Sequence, residues 1–189
     1  QIEAGTFMLA AVATKGDLLI KNCIPEHLDC LTAKILEMGA NVEYNDDSIH
    51  VWTNKRPNKA NIKTQPYPGF PTDLQPQIGV CLALANGTSI IREGIWESRF
   101  QYTAELNKMG AQITDQGKSA IFEGVKELYG APVEATDLRA GAALIIAGIV
   151  AKGETSITNL VHIDRGYENI EEKFRGIGAN IQRITEEDF

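Results

Sequence analysis

Apolar residues are distributed along the chain in two helical patterns that alternate with each other. Three segments are apolar on nearly every face, and helices of that kind must be buried on all sides. They cover residues 6–13, 78–85 and 140–151. Three other segments are amphipathic, with one apolar stripe opposite charged positions. In the first of these the stripe consists of Leu28, Leu31, Ile35 and Leu36.

A glycine closes each of these helices, and the glycines recur at regular spacing. Gly16, Gly87 and Gly153 follow the apolar helices, and Gly39, Gly110 and Gly178 follow the amphipathic ones. The two series lie 23, 23 and 25 residues apart, and corresponding glycines recur every 66 to 71 residues. Glycine suits the left-handed position that ends a helix, and each one is followed by a short strand pattern. The regularity predicts three copies of one unit.

One unit is predicted to contain strand, helix, strand, helix, strand and strand. The segments NIKT (61–64) and APVE (131–134) supply the opening strands of the second and third units, whereas the first unit begins at its first helix. The unpaired sheet edge predicts that the sequence is a piece of a longer chain. We therefore expect one α/β domain over residues 1–189, with pseudo-threefold symmetry, buried helices inside and sheets outside. The predicted βαβαββ units cover approximately residues 1–60, 61–129 and 130–189.

Composition narrows the range of partners. The net charge is −7 and the charges are scattered, so neither nucleic acid nor a membrane surface is an expected partner. No apolar run reaches the roughly 18 residues of a membrane span. The cysteines (Cys23, Cys30 and Cys81) and the histidines lack metal-ligand spacing. We expect no metal, no cofactor and a reducing, cytoplasmic setting.

Two aspartates precede apolar helices in related motifs. Asp73 stands in PTDLQ, after a proline-rich approach at residues 65–72, and Asp137 stands in ATDLR. Threonine and aspartate are good N-caps, and a carboxylate is favourable at the positive end of a helix. Helix capping alone would therefore account for both residues.

Three arginines weaken that simple interpretation. Arg99, Arg139 and Arg165 are each predicted just before or within the first turn of a helix. A cation there opposes the helix dipole, typically by about 0.3–1 kcal/mol. Helix N-termini bind phosphate readily, and arginine adds bidentate geometry. The pattern indicates an anion site with a carboxylate beside it that could serve as a base.

The motifs PGFPTDLQPQ, ATDLRAGAALIIAG and HIDRGYENIEEKFRGIGANI closely resemble those of the bacterial UDP-N-acetylglucosamine 1-carboxyvinyltransferases, which are enolpyruvyl transferases. The resemblance covers essentially the whole chain. It implies the inverse α/β prism fold, and it implies that this chain is the lobe containing the enzyme's C-terminus. The implied reaction transfers the enolpyruvyl group of phosphoenolpyruvate to the 3′-hydroxyl of UDP-N-acetylglucosamine and releases phosphate. That reaction is the first committed step of peptidoglycan synthesis, and it runs by addition followed by elimination.

The resemblance also implies roles for particular residues. Asp73 is the candidate base at the sugar hydroxyl, and Asp137 and Arg139 face the reacting centre. Arg165 reaches phosphoenolpyruvate when the lobes close. Backbone atoms of Ile95 meet the N-acetyl region of the sugar. The implied catalytic residues are Asp73, Asp137 and Arg165, and the implied substrate-binding residues are Asp73, Ile95, Arg99, Arg139 and Arg165.

The chain departs from the family pattern in ways that bear on activity. The family's reactive cysteine lies on the N-terminal lobe and has no counterpart among the cysteines here, and Gln1 stands where many relatives carry arginine. The expected partner is therefore that absent lobe, and this chain alone is expected to be inactive. Two alternatives stay open. One is the shikimate-pathway enolpyruvyl transferase, and the other is a free-standing nucleotide-sugar-binding or interaction module without catalysis.

Overall fold

The computed structural model describes residues 1–185, and a similar succession of helices and strands recurs along them. The first set of elements is α1 (Ile2–Ala13), β1 (Asp17–Lys21), α2 (Asp29–Glu37), β2 (Asn41–Tyr44) and β3 (Ser48–Trp52). The second is β4 (Ile62–Lys63), α3 (Gln75–Ala83), β5 (Thr88–Arg92), α4 (Tyr102–Lys108), β6 (Gln112–Asp115) and β7 (Ser119–Glu123). The third is β8 (Pro132–Glu134), α5 (Leu138–Val150), β9 (Ser156–Thr158), α6 (Val161–Asp164) and α7 (Ile170–Gly176).

The strands within residues 1–185 form three sheets. The first has the order β1-β3-β2, the second β4-β5-β7-β6, and the third β8-β9. The opening strand of a set runs parallel to the strand after the apolar helix, as in β4 with β5 and β8 with β9. The hairpin strands add antiparallel pairs, with Ile90 opposite Ile121 in the second sheet. A helix must separate parallel neighbours, so this pairing follows from the predicted βαβ order.

The three apolar helices α1, α3 and α5 pack against one another in the centre. Every residue of α3 is buried, including Gln75 and Gln77 ahead of its apolar run, and the run itself predicts burial on all sides. Cys81 lies on this helix, where burial raises the pKa of its thiol to about 12. That thiol is a core group and is protonated at neutral pH.

The amphipathic helices are confirmed, with one correction. In α2, Leu31 and Ile35 are buried as predicted, but Leu36 is 51% exposed. Thr32 takes the buried position instead. Its hydroxyl accepts a 2.7 Å hydrogen bond from Tyr44, so a polar residue is tolerated on the inner side of the helix. The inner face therefore keeps Leu28, Leu31 and Ile35 as predicted and differs only in that Thr32 replaces Leu36.

Glycine adopts the left-handed conformation at five of the six predicted positions, but only Gly39, Gly110 and Gly178 directly close a helix, because Gly87 and Gly153 lie four and three residues past the ends of α3 and α5. Gly39, Gly110 and Gly178 have φ values of +94°, +98° and +103°, the left-handed conformation that glycine adopts at no steric cost. Gly16 is the exception, because the left-handed residue after α1 is Lys15, with φ of 55°. The turn is one residue earlier than predicted.

A strand predicted after Gly178 is not formed within the described residues, where 179–185 adopt no regular structure. In the other two sheets the equivalent strands, β2 and β6, hydrogen-bond to the hairpin strand that follows them and to no other. No such hairpin strand is formed among residues 179–185, so the antiparallel pair of the other two sheets is not built from these residues. Across residues 1–185, no helix combines the length and apolar character that crossing a membrane requires.

Candidate active-site face

The proline-rich segment forms a closed loop that leads to Asp73. The amide of Gln65 donates to the carbonyl of Phe70 at 3.0 Å, and the Phe70 side chain is buried in the core. A 3-10 turn, Thr72–Leu74, follows and leads into α3. The loop therefore anchors the chain immediately before Asp73, which fixes the position of that aspartate.

Asp73 does not cap α3, because neither the turn nor the helix has a side-chain cap hydrogen bond. Its Oδ1 instead accepts a hydrogen bond from Nε of Arg139, which lies in the first turn of α5. Both side chains are partly exposed, at 41% and 28%. The Asp73 carbonyl accepts from Gln77 Nε2 at 3.1 Å, which ties its backbone to the buried helix. The interpretation of Asp73 as an N-cap is therefore wrong.

Asp137 is the N-cap of α5. Its Oδ1 accepts from the backbone amides of Arg139 and Ala140, both at 2.9 Å. These amides lack intrahelical partners at a helix start, so the carboxylate satisfies them. The same turn presents the Arg139 side chain to Asp73. The structure thus brings Asp73, Asp137 and Arg139 together where α3 and α5 begin.

Ile95 and Arg99 lie on the loop between β5 and α4, which is attached to the start of α3. The Arg99 carbonyl accepts from Gln75 Nε2 at 3.4 Å. The Arg99 guanidinium lies 5.5 Å from the centroid of the Trp96 ring, within cation–π range. The Ile95 amide donates to the Glu93 carboxylate at 3.1 Å. Because the Ile95 amide is already used in this hydrogen bond, the backbone group of Ile95 that remains for a ligand is its carbonyl oxygen.

Arg165 differs from the prediction. It follows the last turn of α6 and precedes α7 by five residues, so it does not stand at a helix start. In the short helix α6, the buried Ile163 packs closely against Gly141 of α5. Gly166 contacts Leu138 at the start of α5. Arg165 therefore lies near the same end of the core, and its exposed guanidinium makes no ion pair or hydrogen bond with residues 1–185.

Tyr167 connects this segment to the other two units. Its hydroxyl lies 2.9 Å from Thr6 Oγ1 on α1 and 3.5 Å from Gln77 Nε2 on α3. Burial raises the pKa of the Tyr167 hydroxyl, so it stays a neutral hydrogen-bonding group. Thr6, Gln77 and Tyr167, one residue from each of the three sets of elements, are therefore in contact at the end of the core where the candidate residues lie.

Sequence reasoning missed Glu93, a buried carboxylate immediately behind this face. It is 7% exposed and accepts from Thr64 Oγ1 at 2.5 Å and from Thr72 Oγ1 at 2.7 Å. Burial by itself would raise the pKa of Glu93, but these hydroxyls and two backbone amides lower it below the ordinary value. The strand alternation was the available signal, because Glu93 continues the buried positions Ser89 and Ile91.

Clefts and titratable clusters restrict the chemistry further. A cleft of about 330 Å³ adjoins Asp73 between the proline-rich loop and the start of α2. A cleft of about 650 Å³ lies beside Cys23 and Gln1 and contains none of the candidate catalytic residues.

Burial raises the pKa of both the Cys23 and Cys30 thiols, so neither is an activated nucleophile. Residues 1–185 contain no group of three or more histidine, cysteine, aspartate or glutamate side chains placed to hold a metal ion.

Comparison with known proteins gives consistent matches. A profile of the EPSP synthase (3-phosphoshikimate 1-carboxyvinyltransferase) family matches residues 1–174. A UDP-N-acetylglucosamine 1-carboxyvinyltransferase from Clostridium botulinum is 55% identical over 184 residues, which are 97% of this chain and 44% of that protein. One of the same name from Desulfofundulus thermocisternus is 52% identical, over 97% of this chain and 75% of that protein. The chain thus spans less than half the length of the first curated relatives it matches.

Solved structures give the same result for the fold. The enolpyruvyl transferase NikO from Streptomyces tendae superposes with a TM-score of 0.87 and 27% identity, over 96% of this chain and 43% of that one. EPSP synthase from Acinetobacter baumannii superposes with a TM-score of 0.78 at 18% identity, over 97% of this chain and 46% of that one. The fold is therefore that of an inverse α/β prism, as predicted.

Proposed function

Since the chain belongs to the EPSP synthase (3-phosphoshikimate 1-carboxyvinyltransferase) family of enolpyruvyl transferases, we propose that it supplies half of an amino-sugar-specific active site. The enzyme would transfer the enolpyruvyl group of phosphoenolpyruvate to the 3′-hydroxyl of UDP-N-acetylglucosamine. The name carried by relatives at 50–55% identity supports this substrate. The shikimate alternative is weaker, because the EPSP synthase structures match at only 16–18% identity. The observation that carries the proposal is the contact of Asp73 with Arg139 beside Asp137.

Asp73 is proposed as the base for the sugar hydroxyl. Its Oδ1 is held by Arg139, and its Oδ2 has no hydrogen-bond donor among residues 1–185. Oδ2 would accept the hydroxyl proton as the sugar oxygen bonds to C2 of phosphoenolpyruvate, while an acid protonates the methylene carbon. Elimination from the resulting tetrahedral ketal would then break the C2–O bond to phosphate and return one proton of the new methyl group to the conjugate base of that acid, which forms the enol ether, while the proton on Asp73 would leave with the phosphate. The proline-rich loop and the guanidinium together would hold the carboxylate in line with the hydroxyl.

The remaining candidate residues are proposed to bind and orient the substrates. Arg139 and Arg165 would stabilise negative charge on phosphate and carboxylate oxygens. Arg99 would lie beside the sugar, and the Ile95 carbonyl would accept from the N-acetyl amide. Asp137 would act on the reacting centre by holding the first turn of α5, from which Arg139 projects.

The rest of the active site is proposed to come from a second lobe. The acid for the methylene carbon and the family's reactive cysteine would lie there, so this chain alone would not turn over substrate. We also propose that the enzyme contributes the first committed step of peptidoglycan synthesis, in the cytoplasm. Free-standing nucleotide-sugar binding without catalysis is the alternative that the test below must distinguish.

A chimera provides the test. This chain would replace the matching 184-residue region of the Clostridium botulinum relative, and phosphate release would be assayed with phosphoenolpyruvate and either UDP-N-acetylglucosamine or shikimate 3-phosphate. We expect turnover with the amino sugar alone. A folded chimera that uses shikimate 3-phosphate would overturn the substrate assignment. A chimera that binds UDP-N-acetylglucosamine but releases no phosphate would favour the binding module.

A further inference from the structure

The two oxygens of Glu93 contact two different parts of the candidate active site. Oε1 accepts from Thr72 Oγ1 at 2.7 Å and from Gln75 Nε2 at 3.5 Å, on the segment that carries Asp73. Oε2 accepts from the amides of Ile95 at 3.1 Å and Trp96 at 3.4 Å, on the loop before α4. The carboxylate therefore joins two segments that are separate in sequence.

Thr64 closes the network from the opposite side. Its hydroxyl donates to Glu93 Oε2 at 2.5 Å and accepts from the Gly94 amide at 2.8 Å. Gly94 is required there, because a Cβ atom at that position would lie 2.6 Å from the Thr64 carbonyl oxygen. The loop is therefore held against β4 by close backbone approach as well as by hydrogen bonds.

We propose that Glu93 is a positioning residue that holds Asp73 and the Ile95–Arg99 loop in one fixed arrangement for enolpyruvyl transfer. The proposal rests on the proposed function of this face. Glu93 does not contact the substrate and acts through Thr72 and through the loop amides. Its two oxygens have separate tasks: Oε1 fixes the base, and Oε2 fixes the loop that meets the sugar.

The chemistry of the network supports a positioning role over simple core filling. A buried carboxylate is costly unless it is fully hydrogen-bonded, and an apolar side chain of similar size would fill this space without that cost. Every donor to Glu93 within residues 1–185 is an uncharged group, so the network is not an ion pair that neutralises a nearby cation. The carboxylate supplies one acceptor oxygen to each segment, Oε1 to Thr72 and Gln75 and Oε2 to the loop amides.

The division of tasks predicts different kinetic effects on the two sides. In the active chimera, Thr72→Val removes the donor to Oε1 beside Asp73, and we expect kcat to fall by about 10–100-fold with KM for the sugar nucleotide changed less than threefold. Thr64→Val removes the donor to Oε2 and the acceptor for Gly94. We expect it mainly to raise that KM, by about 10-fold, because the loop loses its fixed position.

Glu93→Gln tests the carboxylate itself. A glutamine would place its carbonyl oxygen toward the two loop amides, because its NH₂ group cannot accept from them. The NH₂ group would then face the Gln75 amide, which is also a donor, and Thr72 would have to reverse its hydrogen bond and accept, so the arrangement on the Asp73 side is disrupted. We expect Glu93→Gln to resemble Thr72→Val, with lowered kcat and retained slow hydrogen exchange at the Ile95 and Trp96 amides.

Matched controls separate this proposal from general destabilisation and from failure of the proposed function. Glu123→Gln makes the same charge change at an exposed position on β7 and should leave both constants within twofold. Thr72→Ser restores the hydroxyl and should recover most of the kcat lost in Thr72→Val.

An active chimera in which Glu93→Gln and Thr72→Val both keep kcat within twofold would overturn the proposal while leaving the function intact. If Glu93→Gln does not fold, equal losses in Thr72→Val and Thr72→Ser would overturn it instead.

Discussion

Asp73 and Asp137 occupy the same place in two repeats, within the same Thr-Asp-Leu triplet, yet their carboxylates have different partners. Asp137 turns inward along its own helix and accepts from two backbone amides of α5. Asp73 stands in a 3-10 turn, makes no cap, and reaches across to Arg139 of the next repeat. One aspartate stabilises a helix, and the other is held partly exposed by a neighbouring unit.

The difference arises from the residues on either side of the triplet. Asp137 has an extended backbone, with φ of −157° and ψ of 178°, which lets its side chain fold back over the first turn of α5. The buried Phe70 precedes Asp73, and Asp73 itself lies in a 3-10 turn, so α3 starts two residues after Asp73, at Gln75. In contrast, α5 starts at the residue directly after Asp137. A repeated motif can therefore serve structure in one copy and be free for chemistry in another.

Removing the charge of Asp73 should have the largest effect. In the active chimera, Asp73→Asn should lower kcat by about 10²–10⁴-fold, because a positioned base contributes that much to proton transfer. Circular dichroism and thermal melting should be unchanged, since the residue makes no cap. Asp137→Asn is the comparison variant and should cost less activity, because asparagine also caps helices. Equal kinetic losses in both variants would remove the distinction between the two aspartates.

Substitution of each aspartate by alanine should reverse their order of importance when the free energy of unfolding is measured in place of kcat. In urea unfolding of this chain, Asp137→Ala should cost about 1 kcal/mol, the usual effect of losing an N-cap. Asp73→Ala should change the unfolding free energy by less than about 0.5 kcal/mol, because its ion pair with Arg139 is partly exposed. Asp137→Asn should recover most of the loss. A larger cost for Asp73→Ala would show that its contact is structural.

Glu93 is a third carboxylate for this comparison, and it is buried. Its pKa in the folded chain is below the ordinary value, so ionised Glu93 contributes stability above its unfolded pKa of about 4.3. That contribution is lost as the pH falls through the folded pKa. Urea midpoints between pH 6 and pH 3 should therefore fall less steeply in Glu93→Gln than in the parent chain. Parallel curves would contradict a depressed pKa at this site.

Changing Arg139 should have the smallest effect on stability. Arg139→Gln loses a partly exposed ion pair, worth about 0.2–1 kcal/mol, but it also removes a cation from the first turn of α5, where it opposes the dipole by a similar amount. We expect the unfolding free energy to change by less than about 0.5 kcal/mol. Urea unfolding at low and high salt would measure this. A loss above about 1.5 kcal/mol would indicate that the pair holds the core together.

The sequence predicted the architecture well because the architecture depends on local patterns. The apolar helices, the left-handed Gly39 and Gly110 that close two of the amphipathic helices, and the family resemblance are confirmed. The roles of Asp73, Asp137, Ile95, Arg99, Arg139 and Arg165 remain predictions.

What the sequence did not reveal depends on contacts between distant residues. The pairing of Asp73 with Arg139 spans 66 positions, and no local pattern distinguishes it from capping. The donors to Glu93 come from residues that are 2 to 29 positions away. The predicted placement of Arg165 at a helix start was wrong because residues 161–164 form a separate helix, α6, whose Ile163 packs against the distant Gly141.

The mutual packing of the predominantly apolar helices α1, α3 and α5 has a consequence for how the domain unfolds. In stacked helical repeats each unit contacts only its neighbours, and the ends can unravel while the centre stays folded. Here each central helix is covered by the other two, so detaching one unit exposes apolar surface on all three. Unfolding of one unit alone therefore costs the free energy of exposing apolar surface on all three helices. We expect the three repeats to unfold together in a single cooperative transition.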